Sequence, residues 1–109
     1  MEEVPKQIKY LLEKTKLKTN DIDFFILHQA NKFLIDNIAK KISISKQKNL
    51  MSIESFGNTN SASIPVTIVN NKSKIKKSKI LISGFGVGYS WASAIINLKD
   101  IKINKLIKV

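Results

Sequence analysis

Phe24-Phe25-Ile26-Leu27 is the longest purely apolar run in this sequence, and together with residues 28–42 it constrains the fold more than any other feature. With Ile22 it forms a segment rich in aromatic and branched residues that reads as a buried strand, Ile22 to Leu27, preceded by the polar turn Thr19-Asn20-Asp21. Phe33, Leu34, Ile38 and Ile42 then recur at helical spacing, which predicts a helix from Asn31 to about Lys41. Strand, turn and helix in succession make an α/β unit. Ligands of open α/β sheets sit beyond the carboxyl ends of the strands, and His28, the only histidine, falls there.

The rest of the chain fits around that unit. Val4, Ile8, Leu11 and Leu12 predict an amphipathic helix from Val4 to about Lys16, with Pro5 in its first turn, where a missing N–H costs little. Leu50 to Phe56 reads as a short extended segment ending at Gly57. The capping residues Asn58 to Ser61 lead into a third helix through Ala62, Ile64, Val66, Ile68 and Val69. Pro65 requires that helix to start late or with an irregular first turn. Asn70 to Lys79 reads as a solvated lysine-rich loop, Lys79 to Ser83 and Trp91 to Leu98 as strands, and Gly84 to Gly88 as the turn between them. Residues 1–98 form one domain on this reading, and residues 99–109 a tail or an added edge strand.

A length of 109 residues suits one domain, and 43% hydrophobic with 25% charged residues is ordinary for a chain that buries a core. Four apolar residues are far short of the roughly 20 that a membrane-spanning helix needs. With no leader visible in the first 20 residues, the expected location is cytoplasmic. The absence of cysteine removes disulfides, thiolate metal sites and a cysteine nucleophile from these residues. All 19 basic residues are lysine, against 8 acidic ones, giving a net charge of +11. Heavy use of lysine, isoleucine and asparagine together is what a low-GC coding sequence produces. The missing arginine also argues against sequence-specific DNA binding.

Three segments could carry chemistry. His28 could donate or accept at the end of the first strand, although a lone histidine is more often structural. Asn58, at a loop-to-helix junction, could donate from its amide, although such an asparagine is ordinarily a cap. Gly84 to Gly88 is not a dinucleotide fingerprint, because strand rather than helix comes after it, and no P-loop lysine is present. Its exposed backbone amides could instead donate to an oxyanion. No His/Asp/Glu set has metal-ligand spacing, so no metal is expected.

Taken in order, Ile26-Leu27-His28-Gln29-Ala30-Asn31, then Gly57-Asn58-Thr59-Asn60-Ser61-Ala62-Ser63-Ile64-Pro65, then Gly84-Phe85-Gly86-Val87-Gly88 resemble the signatures of the 3-oxoacyl-acyl-carrier-protein synthase III family. The resemblance runs from about Val4 to Leu98 and implies the C-terminal half of a thiolase-like fold, an α/β architecture with a mixed β-sheet and packed helices. It implies an acyltransferase of fatty-acid or related acyl-chain synthesis that joins an acyl group to malonyl carrier, with acyl-CoA and malonyl-ACP as substrates and no bound cofactor. His28 and Asn58 become the catalytic donors to the malonyl thioester carbonyl, and Val87 supplies an oxyanion backbone amide. Gln29, Asn31, Lys32 and Gly86 become substrate or carrier contacts. The implied partners are acyl carrier protein, a cysteine-bearing N-terminal half and, in the full protein, a second copy in a homodimer, with neither nucleic acid nor membrane. Phe33 stands where family members often carry an arginine that docks the carrier, and Lys32 or Lys40 could substitute only as point charges. A related acyltransferase with another acceptor would use the same two side chains. A basic nucleic-acid or scaffold module would need aromatics interleaved with lysines on one surface, whereas the lysines here cluster in loops.

Overall fold

A computed structural model describes residues 2–86 and 90–107. A four-stranded sheet in the order β2-β1-β3-β4 lies between helices, with β1 (Phe24–Leu27) parallel to β2 (Asn49–Leu50) and to β3 (Lys79–Gly86), and β4 (Ser90–Asn97) antiparallel to β3. Helix α1 (Glu3–Lys14) and helix α2 (Lys32–Lys41) cover one face. Helix α4 (Ser63–Asn70) covers the other, after a single helical turn, α3 (Ile53–Phe56), and ahead of another, α5 (Lys72–Ile75).

Strand β1 is apolar at every position because it is covered on both faces. Phe25 and Leu27 pack with Ile8 and Leu12 of α1 and Ile35 and Ile38 of α2. Ile26 packs with Ile75, Ile80 and Leu98 on the opposite side, against which Ile64 and Ile68 of α4 close. One residue's shift in register would exchange these two sets. Helix α2 starts where Asn31 accepts the Leu34 N–H at 2.8 Å, a capping bond that also fixes the exit angle of the chain after β1.

Three local expectations are corrected. Leu50 to Phe56 is not extended throughout: only Asn49–Leu50 pairs with β1, and Ile53–Phe56 is a helical turn closed by Gly57 at φ 66°, a left-handed value glycine adopts without strain. The lysine-rich stretch after Asn70 contains the turn α5, because Ile75 is fully buried and anchors it. Strand β3 continues through Gly84 and Gly86, and at Gly84 an added Cβ would meet Ile64 Cδ1 of α4 at 3.7 Å, an ordinary packing distance. Pro65 is accommodated at the third residue of α4, behind a 3-10 turn at Asn60–Ala62. Residues 99–107 are in neither helix nor strand, and Ile103 packs against the α4 side of the core. Among the described residues no helix is long and apolar enough to cross a membrane.

Candidate functional site

The carboxyl ends of β1 and β3 and the entry to α4 enclose an open cleft of about 580 Å³. His28, Asn58, Ser63, Phe85, Gly86 and Trp91 are among its walls, and His28 is the only ionisable side chain lining it among the described residues. Each reaches the cleft for a traceable reason. His28 comes directly after β1 and stays in the sheet pattern, its N–H donating to the Ser83 carbonyl at 2.8 Å. Phe85 stands edge-on to the imidazole, ring centroids 5.3 Å apart at 88°, which fixes the ring plane from the β3 side.

Asn58 comes after Gly57, whose positive φ turns the chain out of α3 toward the cleft. Its Oδ1 accepts the Asn60 N–H at 2.9 Å. A backbone N–H can only donate, so the oxygen must face Asn60, and the Nδ2 end is left as a hydrogen-bond donor.

The imidazole is half-buried, and desolvation holds its pKa below the ordinary value of 6.5. At neutral pH it is therefore an uncharged ring with one N–H. Since protonation is easier in the unfolded chain, His28 contributes stability that is present above about pH 6.5 and declines as pH falls below it. The His28 ring protons, followed by NMR as pH is lowered, should titrate with a midpoint below 6.5; a midpoint above it would contradict the burial.

The other motif residues do other things. Gln29 is fully buried, its Nε2 donating to the Leu27 carbonyl at 2.7 Å and its Oε1 accepting the Ser52 and Ile53 N–H groups at 2.9 and 3.1 Å. It clamps the β2–α3 connection to the end of β1 and presents no group to the cleft. Asn31 caps α2, and Lys32, exposed, pairs with Asp36 at 3.0 Å, which raises the lysine pKa through that hydrogen bond and charge. Neither lines the cleft, whereas Gly86 does. Val87 lies outside the described residues. Sequence reasoning gave no separate role to Ser63, which is 1% exposed with its hydroxyl 2.7 Å from His28 Nδ1. The available signal was the Ser63/Thr67 pair, four residues apart on an otherwise apolar helix and so on one face of it.

A mixed four-stranded sheet packed between helices, with a strand-end histidine and a loop asparagine opening on one cleft, is the architecture of the C-terminal half of a thiolase-like fold. Residues 12–98 match the C-terminal domain of 3-oxoacyl-[acyl-carrier-protein] synthase III, and the chain belongs to that family. It is 41% identical over 101 residues to the beta-ketoacyl-[acyl-carrier-protein] synthase III of Lactococcus lactis subsp. lactis, covering 88% of this chain and 31% of that protein. It is 40% identical over 96 residues to that of Acholeplasma laidlawii, covering 87% of this chain and 31% of the relative. The crystal structure of 3-oxoacyl-[acyl-carrier-protein] synthase III from Aquifex aeolicus superposes with a TM-score of 0.84 at 30% identity, over 88% of this chain and 32% of that one. The chain thus spans about a third of the length of these relatives.

Proposed function

We propose that this chain supplies the donor side of a decarboxylative thioester-condensing enzyme, in which His28 and Asn58 hold the carbonyl oxygen of a malonyl thioester. The observation that carries the reading is their shared cleft: a neutral imidazole and an amide whose oxygen is already engaged, with no carboxylate among the described lining residues to oppose negative charge. As carbon dioxide leaves the malonyl group, the electron pair of the broken C–C bond passes to the thioester carbonyl as an enolate. Two preorganised N–H donors stabilise that oxygen more than they stabilise the neutral thioester. The enolate carbon then attacks an acyl thioester on a cysteine outside these residues, forming the new C–C bond as the cysteine thiolate departs. The Val87 amide is assigned to the oxyanion of that second step.

On this reading the complete enzyme is cytoplasmic and homodimeric, uses acyl-CoA and malonyl carrier without a bound cofactor, and meets an acidic carrier protein with a chain of net charge +11. Gly86 borders the substrate. Of the other assigned contacts, Gln29 acts by holding the β2–α3 connection, Asn31 caps α2, and Lys32 stays on the surface with Asp36. The test is to incubate this chain with acyl-CoA and malonyl carrier, alone and joined to a cysteine-bearing portion from a relative. Mass spectrometry should find no acyl adduct on the chain alone, and the joined protein should release carbon dioxide and 3-oxoacyl product. An adduct on the chain alone, or a joined protein that acylates but does not decarboxylate, would overturn the reading.

A further inference from the structure

We propose that Ser63 is a positioning residue that holds the imidazole of His28 as the Nε2–H tautomer, so that the ring's single N–H is directed to the cleft rather than into the protein. Ser63 Oγ has two hydrogen-bond neighbours among the described residues, the Gln29 backbone nitrogen at 3.4 Å and His28 Nδ1 at 2.7 Å. The Gln29 N–H can only donate, so the serine oxygen accepts there. The acceptor this leaves for the hydroxyl hydrogen is Nδ1, whose lone pair is free only in the Nε2–H tautomer. In the opposite tautomer Nδ1–H and Gln29 N–H would both point at the serine oxygen, and its own hydrogen would have no acceptor in a buried site.

The serine is itself fixed. Thr67 Oγ1 donates to the Ser63 carbonyl at 2.7 Å, and with that hydrogen committed, Ser52 Oγ, 2.7 Å away, donates to Thr67 Oγ1. Ser52 in turn is held through its backbone by Gln29 Oε1. Buried bonds therefore tie the β2–α3 connection to the backbone of α4 at Ser63, the donor sense of Ser52 following from that of Thr67, while the sense of the Ser63 hydroxyl is set by the Gln29 N–H. The burial that disfavours the charged ring acts in the same direction, because an imidazolium would turn Nδ1 into a donor and leave the hydroxyl hydrogen without its acceptor.

The tautomer is a property of this chain alone; its consequence for rate rests on the function proposed above. Because His28 is the only histidine, the ring nitrogens of the ¹⁵N-labelled 109-residue chain are assigned without ambiguity. Long-range ¹H–¹⁵N spectra above the titration midpoint should show one tautomer, protonated at Nε2, with Nδ1 shifted by an accepted hydrogen bond. Ser63→Ala should abolish that Nδ1 shift and raise the titration midpoint, and Ser63→Thr, which keeps the hydroxyl, should restore both. An Nδ1–H tautomer in the unaltered chain, or a folded Ser63→Ala chain with unchanged ring nitrogens, would overturn the proposal. In the protein joined to its cysteine-bearing portion, Ser63→Ala should lower malonyl thioester decarboxylation about 10- to 100-fold, the range lost when the outer hydrogen-bond partner of a metal-bound histidine is removed. A changed tautomer with an unchanged rate would uphold the serine assignment and count against His28 as the donor.

Discussion

Replacing His28 or Asn58 by alanine, in the protein complete with its cysteine-bearing portion, is expected to slow decarboxylation of a malonyl thioester by about 100- to 1,000-fold, the usual cost of removing one oxyanion donor. Acylation of the cysteine should fall far less, because the enolate oxygen that these two side chains are proposed to hold forms only in the decarboxylation step. Single-turnover measurements separate the two steps. Asn58 is exposed, and the bond its side chain makes among the described residues is local, to Asn60, which is less than a purely structural residue would need. A loss shared equally by both steps and accompanied by a lower melting temperature would mark the pair as structural.

Gln29→Ala is expected to cost about 3 kcal/mol of folding stability, and Asn31→Ala, two positions away in the same motif, only about 1 kcal/mol. The glutamine satisfies the buried N–H of Ser52, the N–H of Ile53 and the carbonyl of Leu27, and its loss leaves them without partners in a region water does not readily reach. The asparagine makes one exposed capping bond that water replaces. Against a total stability of roughly 5–15 kcal/mol, the first change is severe and the second minor. Urea midpoints at unchanged m-value measure both, and equal losses would contradict the clamp assigned to Gln29.

The contrast between these neighbours shows how far the sequence could be read. His28-Gln29-Ala30-Asn31 was visible as a unit, but whether each polar side chain faces a ligand or a backbone depends on the pairing of β1 with β2, which brings Ser52 N–H to Gln29. Strand β1 and helix α2 were legible because burial on both faces and on one face leaves distinct patterns. The turn α3 was not, since Ile53 and Phe56 suit a strand by residue type and only the short pairing of β2 excludes it. Ile75 was hidden among lysines, whose side chains remain in water while the isoleucine alone anchors α5. Glycines, unfavourable in strands, suggested a turn from Gly84 onward, whereas pairing with β4 carries β3 through Gly84 and Gly86. His28 and Asn58 could be found from their positions at element ends. Ser63 could not be distinguished from an ordinary helix-start serine until the fold placed its hydroxyl 2.7 Å from His28 Nδ1.

The cleft is open, and its openness sets the strength of everything inside it. A hydrogen bond aimed at a developing charge gains little where bulk water can solvate the same oxygen, since the local dielectric is then close to that of the solvent. On the function proposed above, covering the cleft would strengthen the field that His28 and Asn58 exert on a substrate oxygen. On that reading, the strength of these two donors is therefore set by what covers the cleft. Their orientation, carried by Ser63, Gln29 and Gly57, is already written into this chain.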